Sequence, residues 1–255
     1  MIDRSAFEAY ARALGTNADM AQRALSGVMG LGLSGLSGAE LSDALSDAMV
    51  ALVRTYGPRA ATVAVEFYRS QREASGVASA YEATASTFVD DAAIRAATAS
   101  EASLHQSPDG LSKALSGQLV RHVNSMADDT LTDNARRDPA HPRWALVPHV
   151  GACGWCLMIA SRGFDYAKKD RVPRHNSCRC TAVVDFDRDS PSLEGYDVDA
   201  LRDRYSLARS SVEADAEAEW DAMDKEQRDS YRRKGRSAYD VYLRNRIAAA
   251  MGHLD

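Results

Sequence analysis

The 255-residue chain has no apolar stretch approaching the roughly 20 residues that cross a bilayer, so no membrane-spanning helix is expected. It has no cysteine outside residues 153–180, which leaves no disulfide framework spread along the chain. Its start, MIDRSAFEAYARALG, lacks the basic residues followed by an apolar run that mark a secretory signal. Folding in a reducing cytoplasm is the expectation, and there clustered thiols bind metal more often than they pair. Aromatic residues make up 7% and few interleave with basic ones, which argues against a base-stacking surface. No long internal repeat is present. After Phe186 there is neither a nucleophile elbow nor a paired-carboxylate pattern, so no added catalytic domain is expected there; no catalytic residue is assigned in the chain.

A hydrophobic content of 45% is enough to build a core, and the first half reads as helices. Over 41–56, Leu41, Leu45, Met49, Leu52 and Val53 fall at helical spacing, with Asp43 and Asp47 on the opposite face. Gly57-Pro58 is expected to interrupt this helix, with a second one starting at Pro58. Two shorter helices are expected over 6–14 and 18–29, followed by a loop, GLGLSGLSGAE. Residues 90–104 and 111–137 are helical by composition, with a turn at Ser107-Pro108-Asp109-Gly110 between them.

Two prolines in Asp138-Pro139-Ala140-His141-Pro142 end that series and open a second unit. Residues 143–148 look extended, 156–160 look like a short helix, and 181–186 look like a strand. A unit of about 50 residues seldom has a sufficient core of its own, so a metal staple would be useful. Beyond a connector at 187–196 the pattern returns to charged helices. The basic run at 231–236 leads into an amphipathic segment over 239–251, read either as a surface or partner-bound arm or as a helix pair packed back on its own domain. The expected fold is mainly α: a helical domain (1–137), a small Cys-rich α+β zinc-knuckle-like module (138–186) and a charged helical tail (187–255).

The chemistry concentrates in the middle unit. Cys153 and Cys156 have the two-residue spacing that lets both thiols reach one ion from a tight turn, and Gly154 helps that turn close. Cys178 and Cys180 are separated by one residue, a tighter spacing that makes His175 a credible substitute ligand. The candidate metal ligands are therefore Cys153, Cys156, His175, Cys178 and Cys180, with zinc as the ion. Packing or disulfide-capable thiols are an alternative, as is a nucleophilic cysteine with His149 or His175 as base. His149 sits among apolar neighbours and reads as structural, while Trp144 and Trp155 read as knuckle core.

The net charge of −5 is unevenly spread. Residues 134–180 hold 9 basic against 3 acidic side chains, whereas both flanks are acidic. This island either faces phosphate or an acidic protein surface, or solvates a small module. Arg162, Lys168, Lys169, Arg171, Arg174 and Arg179 could offset thiolate charge.

Taken together, Cys153/Cys156, the short helix after them, Tyr166, and His175 followed by Cys178-Arg179-Cys180-Thr181 resemble the MuF-like minor capsid (head morphogenesis) family of tailed phages, in its actinobacteriophage form. Tyr56-Gly57-Pro58 and Phe67-Tyr68 extend the likeness, which covers about residues 40–186. Where the family often has proline after the histidine, this chain has Asn176. The resemblance implies a virion protein assembled in the host cytoplasm and placed inside the capsid near the portal. It would contact the portal and the major capsid or scaffold protein, with no membrane, and could leave with the packaged DNA. Two alternatives accompany it: a capsid maturation protease of Cys/His or Ser/His type, for which Ser161 with His149 would be one pair, and a DNA-binding accessory head protein using the basic island and the 231–246 arm.

Overall fold

A computed structural model describes residues 1–30, 36, 38–105, 107–165, 172–233 and 235–254 of the chain. The architecture is mainly α, as expected. Three long helices, α1 (Arg4–Gly30), α2 (Gly38–Ala74) and α4 (Pro108–Arg137), pack on one another, and α3 (Asp91–Leu104) lies against α2 and α4. Their buried stripes, such as Leu45, Met49 and Val53 of α2 with Leu115, Leu119 and Val123 of α4, form the centre of the core. Tyr10 and Phe67 stack across the α1–α2 seam with ring centroids 4.2 Å apart.

Two expected breaks are absent. Residues 6–14 and 18–29 belong to one helix, in which Asn17 is buried and donates to the Tyr56 carbonyl at 2.9 Å instead of ending the helix. Pro58 lies inside α2, not at a corner between two helices. A proline there loses one backbone hydrogen bond and crowds the preceding turn. On both sides of it, however, the stripe continues through Val53, Ala60, Ala61, Ala64 and Phe67, all buried against neighbouring elements. Gly57 itself is buried where a Cβ would collide with the Met126 side chain. The turn signal at 107–110 is the start of α4: Ser107 is the N-cap and accepts from Gly110 N–H, and Pro108 occupies the first turn. Of the loop expected after α1, residues 31–35 and 37 lie outside the described residues, and Gly38–Glu40 are already helical.

α4 ends at Asp138, which is fully buried. Asp138 accepts from Tyr68 Oη at 3.0 Å and Arg72 Nε at 2.8 Å, and its other carboxylate oxygen takes Ala140 N–H. The proline-rich corner is thus fastened to α2. Next come β1 (Arg143–Val147), α5 (Gly154–Ala160) and β2 (Thr181–Asp185). The strands pair antiparallel from Arg143↔Asp185 to Val147↔Thr181. All of β2 and all of β1 except Arg143 are buried, with α2, α4 and α5 packed against the strands. That is why these strands read as continuous apolar runs instead of alternating.

The tail contains α6 (Val198–Ala222), α7 (Lys225–Ser230) and α8 (Ala238–Met251). It packs back on the molecule: α8 lies against α5 and α6, burying Val241, Tyr242, Ile247 and Met251. Trp220, Tyr231, Tyr239 and Tyr242 form one aromatic cluster within the tail. One hydrophobic core runs through residues of 1–137, 138–186 and 187–255. No helix among the described residues is long and apolar enough to cross a membrane.

Candidate metal centre

The five sequence-selected donors meet. Cys153 is the N-cap of α5 and Cys156 lies one turn along it, while Cys178 and Cys180 precede β2. His175 Nε2 lies 3.1 Å from Cys156 Sγ and 3.3 Å from Cys153 Sγ, and Cys156 Sγ lies 3.6 Å from Cys178 Sγ. Two interlocked groups, Cys153/Cys156/His175 and Cys156/Cys178/Cys180, share Cys156, and each has its donor atoms within 4.8 Å of one another. Ligands about 2.1–2.3 Å from a tetrahedral ion stand about 3.5–3.8 Å apart, so this spacing could hold a metal. Cys156, Cys178 and Cys180 are buried, and Cys153 is half-buried.

Local contacts prepare the donors. The backbone N–H groups of Cys156 and Trp155 point at the Cys153 sulfur. Against the effect of burial they, with His175, hold that thiol below its ordinary pKa. The thiols of Cys156 and Cys180 bond to Cys178 and, with His175, keep it well below the usual thiol range, while Cys156 is pushed up in return. The Cys178 contact raises His175 to about 9. His175 Nδ1 faces the Asn176 carbonyl at 2.7 Å, which leaves Nε2 turned to the sulfurs, and Trp155 meets the imidazole edge-on at 5.5 Å. Such an outer contact would orient the imidazole for ligation.

α4 supports the second pair. Gly117 O accepts from Ser177 N–H at 2.9 Å, Asn124 Nδ2 donates to Cys178 O at 3.4 Å, and Asp128 forms a two-pronged ion pair with Arg174, including Nη2 to Oδ1 at 2.8 Å. Arg174 also donates to Cys178 O at 3.2 Å. These α4 residues occupy one face at intervals of seven and four, and a Cβ on Gly117 would lie 2.6 Å from Ser177 Oγ. Nothing in the sequence pattern singles out Gly117, Asn124 or Asp128, since each reads as an ordinary helix residue until the loop is seen against it.

The basic island is partly neutralised by ion pairs, one buried and one exposed. Arg174 is buried with Asp128, and Arg179 binds Asp19 at 2.5 Å and Gln22 at 3.0 Å on α1. Tyr166, Lys168, Lys169 and Arg171 lie outside the described residues. Trp144 is buried, as a core residue should be. His149 Nδ1 contacts the neighbouring Val150 carbonyl, and Ser161 Oγ donates to Met158 O at 2.9 Å.

Residues 1–208 match the family described as VG15 protein. No curated protein and no solved structure matches the chain. The matched stretch takes in the helical bundle, both cysteine pairs and the first part of α6, and covers well over half of the chain. The chain therefore belongs to the VG15 protein family, a family of phage proteins.

Proposed function

We propose that this phage protein is a minor capsid, or head morphogenesis, protein that binds at the portal or inner capsid during procapsid assembly, with a zinc ion as the staple of its middle unit. One observation carries the reading: the CxxC pair, His175 and the Cys178-Arg179-Cys180 pair converge as two donor groups that share the buried Cys156. This is the constellation on which the resemblance to MuF-like head proteins rests. Soft thiolates with an imidazole suit zinc, and a structural site is closed on all four sides by protein. Four of the five donors would hold the ion, with Arg174 beside Cys178 offsetting part of the thiolate charge. The metal's contribution would be folding energy. The protein's work would then be contact, with the portal and the major capsid or scaffold protein as partners, inside the head and beside the packaged DNA.

The test is composition of the particle and co-purification. Mass spectrometry of purified virions should find the chain in a few copies per head, and co-expression should recover it with the portal protein encoded by the same phage. Absence from both procapsids and virions would contradict the assignment.

A second reading has its own observation: Cys153, the least buried of the four thiols, lies 3.3 Å from the His175 imidazole, as a nucleophile lies beside its base. It makes the chain a capsid maturation protease. Selective alkylation of Cys153 that stops major capsid cleavage would support it; a stoichiometric metal that shields all four thiols would end it.

A further inference from the structure

The second cysteine pair is backed by α4, but the first is backed by the residues that follow α8. Gly252, at φ +66°, terminates α8 and turns residues 252–254 alongside 151–153. Cys153 pairs with His253 in an antiparallel bridge, Leu254 N–H donates to Ala152 O at 3.0 Å, and Gly151 N–H donates to Leu254 O at 2.9 Å. Arg204 of α6 holds the same segment through the His253 carbonyl at 2.8 Å. At Gly154, the residue between the two backbone anchors and Cys156, a Cβ would collide with Ala248 O and lie 2.9 Å from Gly252 O. Only glycine lets the C-terminus of α8 come this close to the CxxC turn.

We infer that residues 238–254 are the positioning half of the metal site: their docking sets the Cys153–Cys156 turn, and ion binding and docking are coupled. The inference rests on the cluster being a metal centre. Two sulfurs three residues apart reach one ion only if the turn between them is fixed, and the backbone pairing at 151–153 fixes its entry. Outer contacts of this kind are typically worth about 10–100-fold in metal affinity. Linkage makes the coupling reciprocal, so the ion tightens the docking of the C-terminal segment by the same factor. This segment lies beyond residue 208, where the family match ends. In this chain, then, residues outside the matched stretch complete the site and are fastened by it.

The test uses the full chain loaded with zinc, the Gly154→Ala variant, and a chain ending at Met251, with helicity checked by circular dichroism. Zinc affinity is read by competition with a chromogenic chelator, and docking by hydrogen exchange of the Gly151 and Leu254 amides before and after chelation. Both variants should stay helical and bind zinc about 10-fold or more weakly, and in the full chain chelation should speed exchange at both amides by a similar factor. Helical variants with wild-type zinc affinity, or exchange that ignores the chelator, overturn the coupling while leaving the metal centre standing. A full chain that takes up no zinc overturns both.

Discussion

Arg174 and Asp128 show what a single pair contributes to the centre. Both side chains are almost wholly buried, at 2% and 3% exposure, and they tie the loop bearing His175 to α4. Removing one partner strands a buried charge, so Asp128→Ala should cost about 3–5 kcal/mol in urea denaturation. The exposed Arg209–Glu213 pair on α6 is the control, because solvent-screened pairs contribute about 0–1 kcal/mol and Glu213→Ala should be near neutral. Equal effects at the two sites would contradict this account of the loop. His122 tests the interior of α4 differently. Burial, and then the neighbouring Arg121, lower its pKa from 6.5 to about 4, with Asp90 pulling the other way. The unfolded chain therefore takes up this proton first. The stability tied to neutral His122 is complete above about pH 6.5 and is lost as the pH falls towards 4. His122→Gln should flatten the fall in urea midpoint between pH 7 and 4.5; an unchanged slope would show that other groups govern it.

At the scale of elements, α2 runs through Pro58 because its packing outweighs one broken turn. Pro58 is exposed, so its ring has little buried surface to lose. Replacing it with alanine restores a backbone donor in a helix interior, where proline costs about 3 kcal/mol, against about 0.4–1 kcal/mol of added freedom in the unfolded chain. Pro58→Ala should therefore raise the melting temperature, and a fall would mean that proline's restriction of the unfolded chain outweighs the restored donor. The same helix shows where sequence reading stops. The stripe Leu45, Met49, Val53 was legible, as were both strands, α5 and the grouping of the five candidate ligands, because periodicity and ligand spacing are local signals. Continuity across Gly57-Pro58 and across Gly15-Thr16-Asn17 was not, because it depends on Met126 and Tyr56, residues distant in sequence that take up what the local break gives away. The α4 face behind His175 escaped for the same reason. Whether the tail was a free arm or a docked one turned on Gly154, whose missing side chain matters only once Ala248 is beside it.

At the scale of the whole molecule, the middle unit is held by several elements: α2 through Asp138, α4 through Asp128, α1 through Asp19, and the residues after α8 through the 252–254 pairing. It shares one core with both flanks, so a metal held at its centre would bear on the entire chain. Chelation should lower the melting temperature of the whole protein in a single transition. The most direct test of the central claim is metal content and thiol count on the same purified sample. The account predicts one zinc per chain, all four cysteines shielded from alkylation until a chelator is added, and loss of both metal and shielding in Cys178→Ser. A folded chain without metal, in which one cysteine alkylates selectively and the others stay inert, would contradict it.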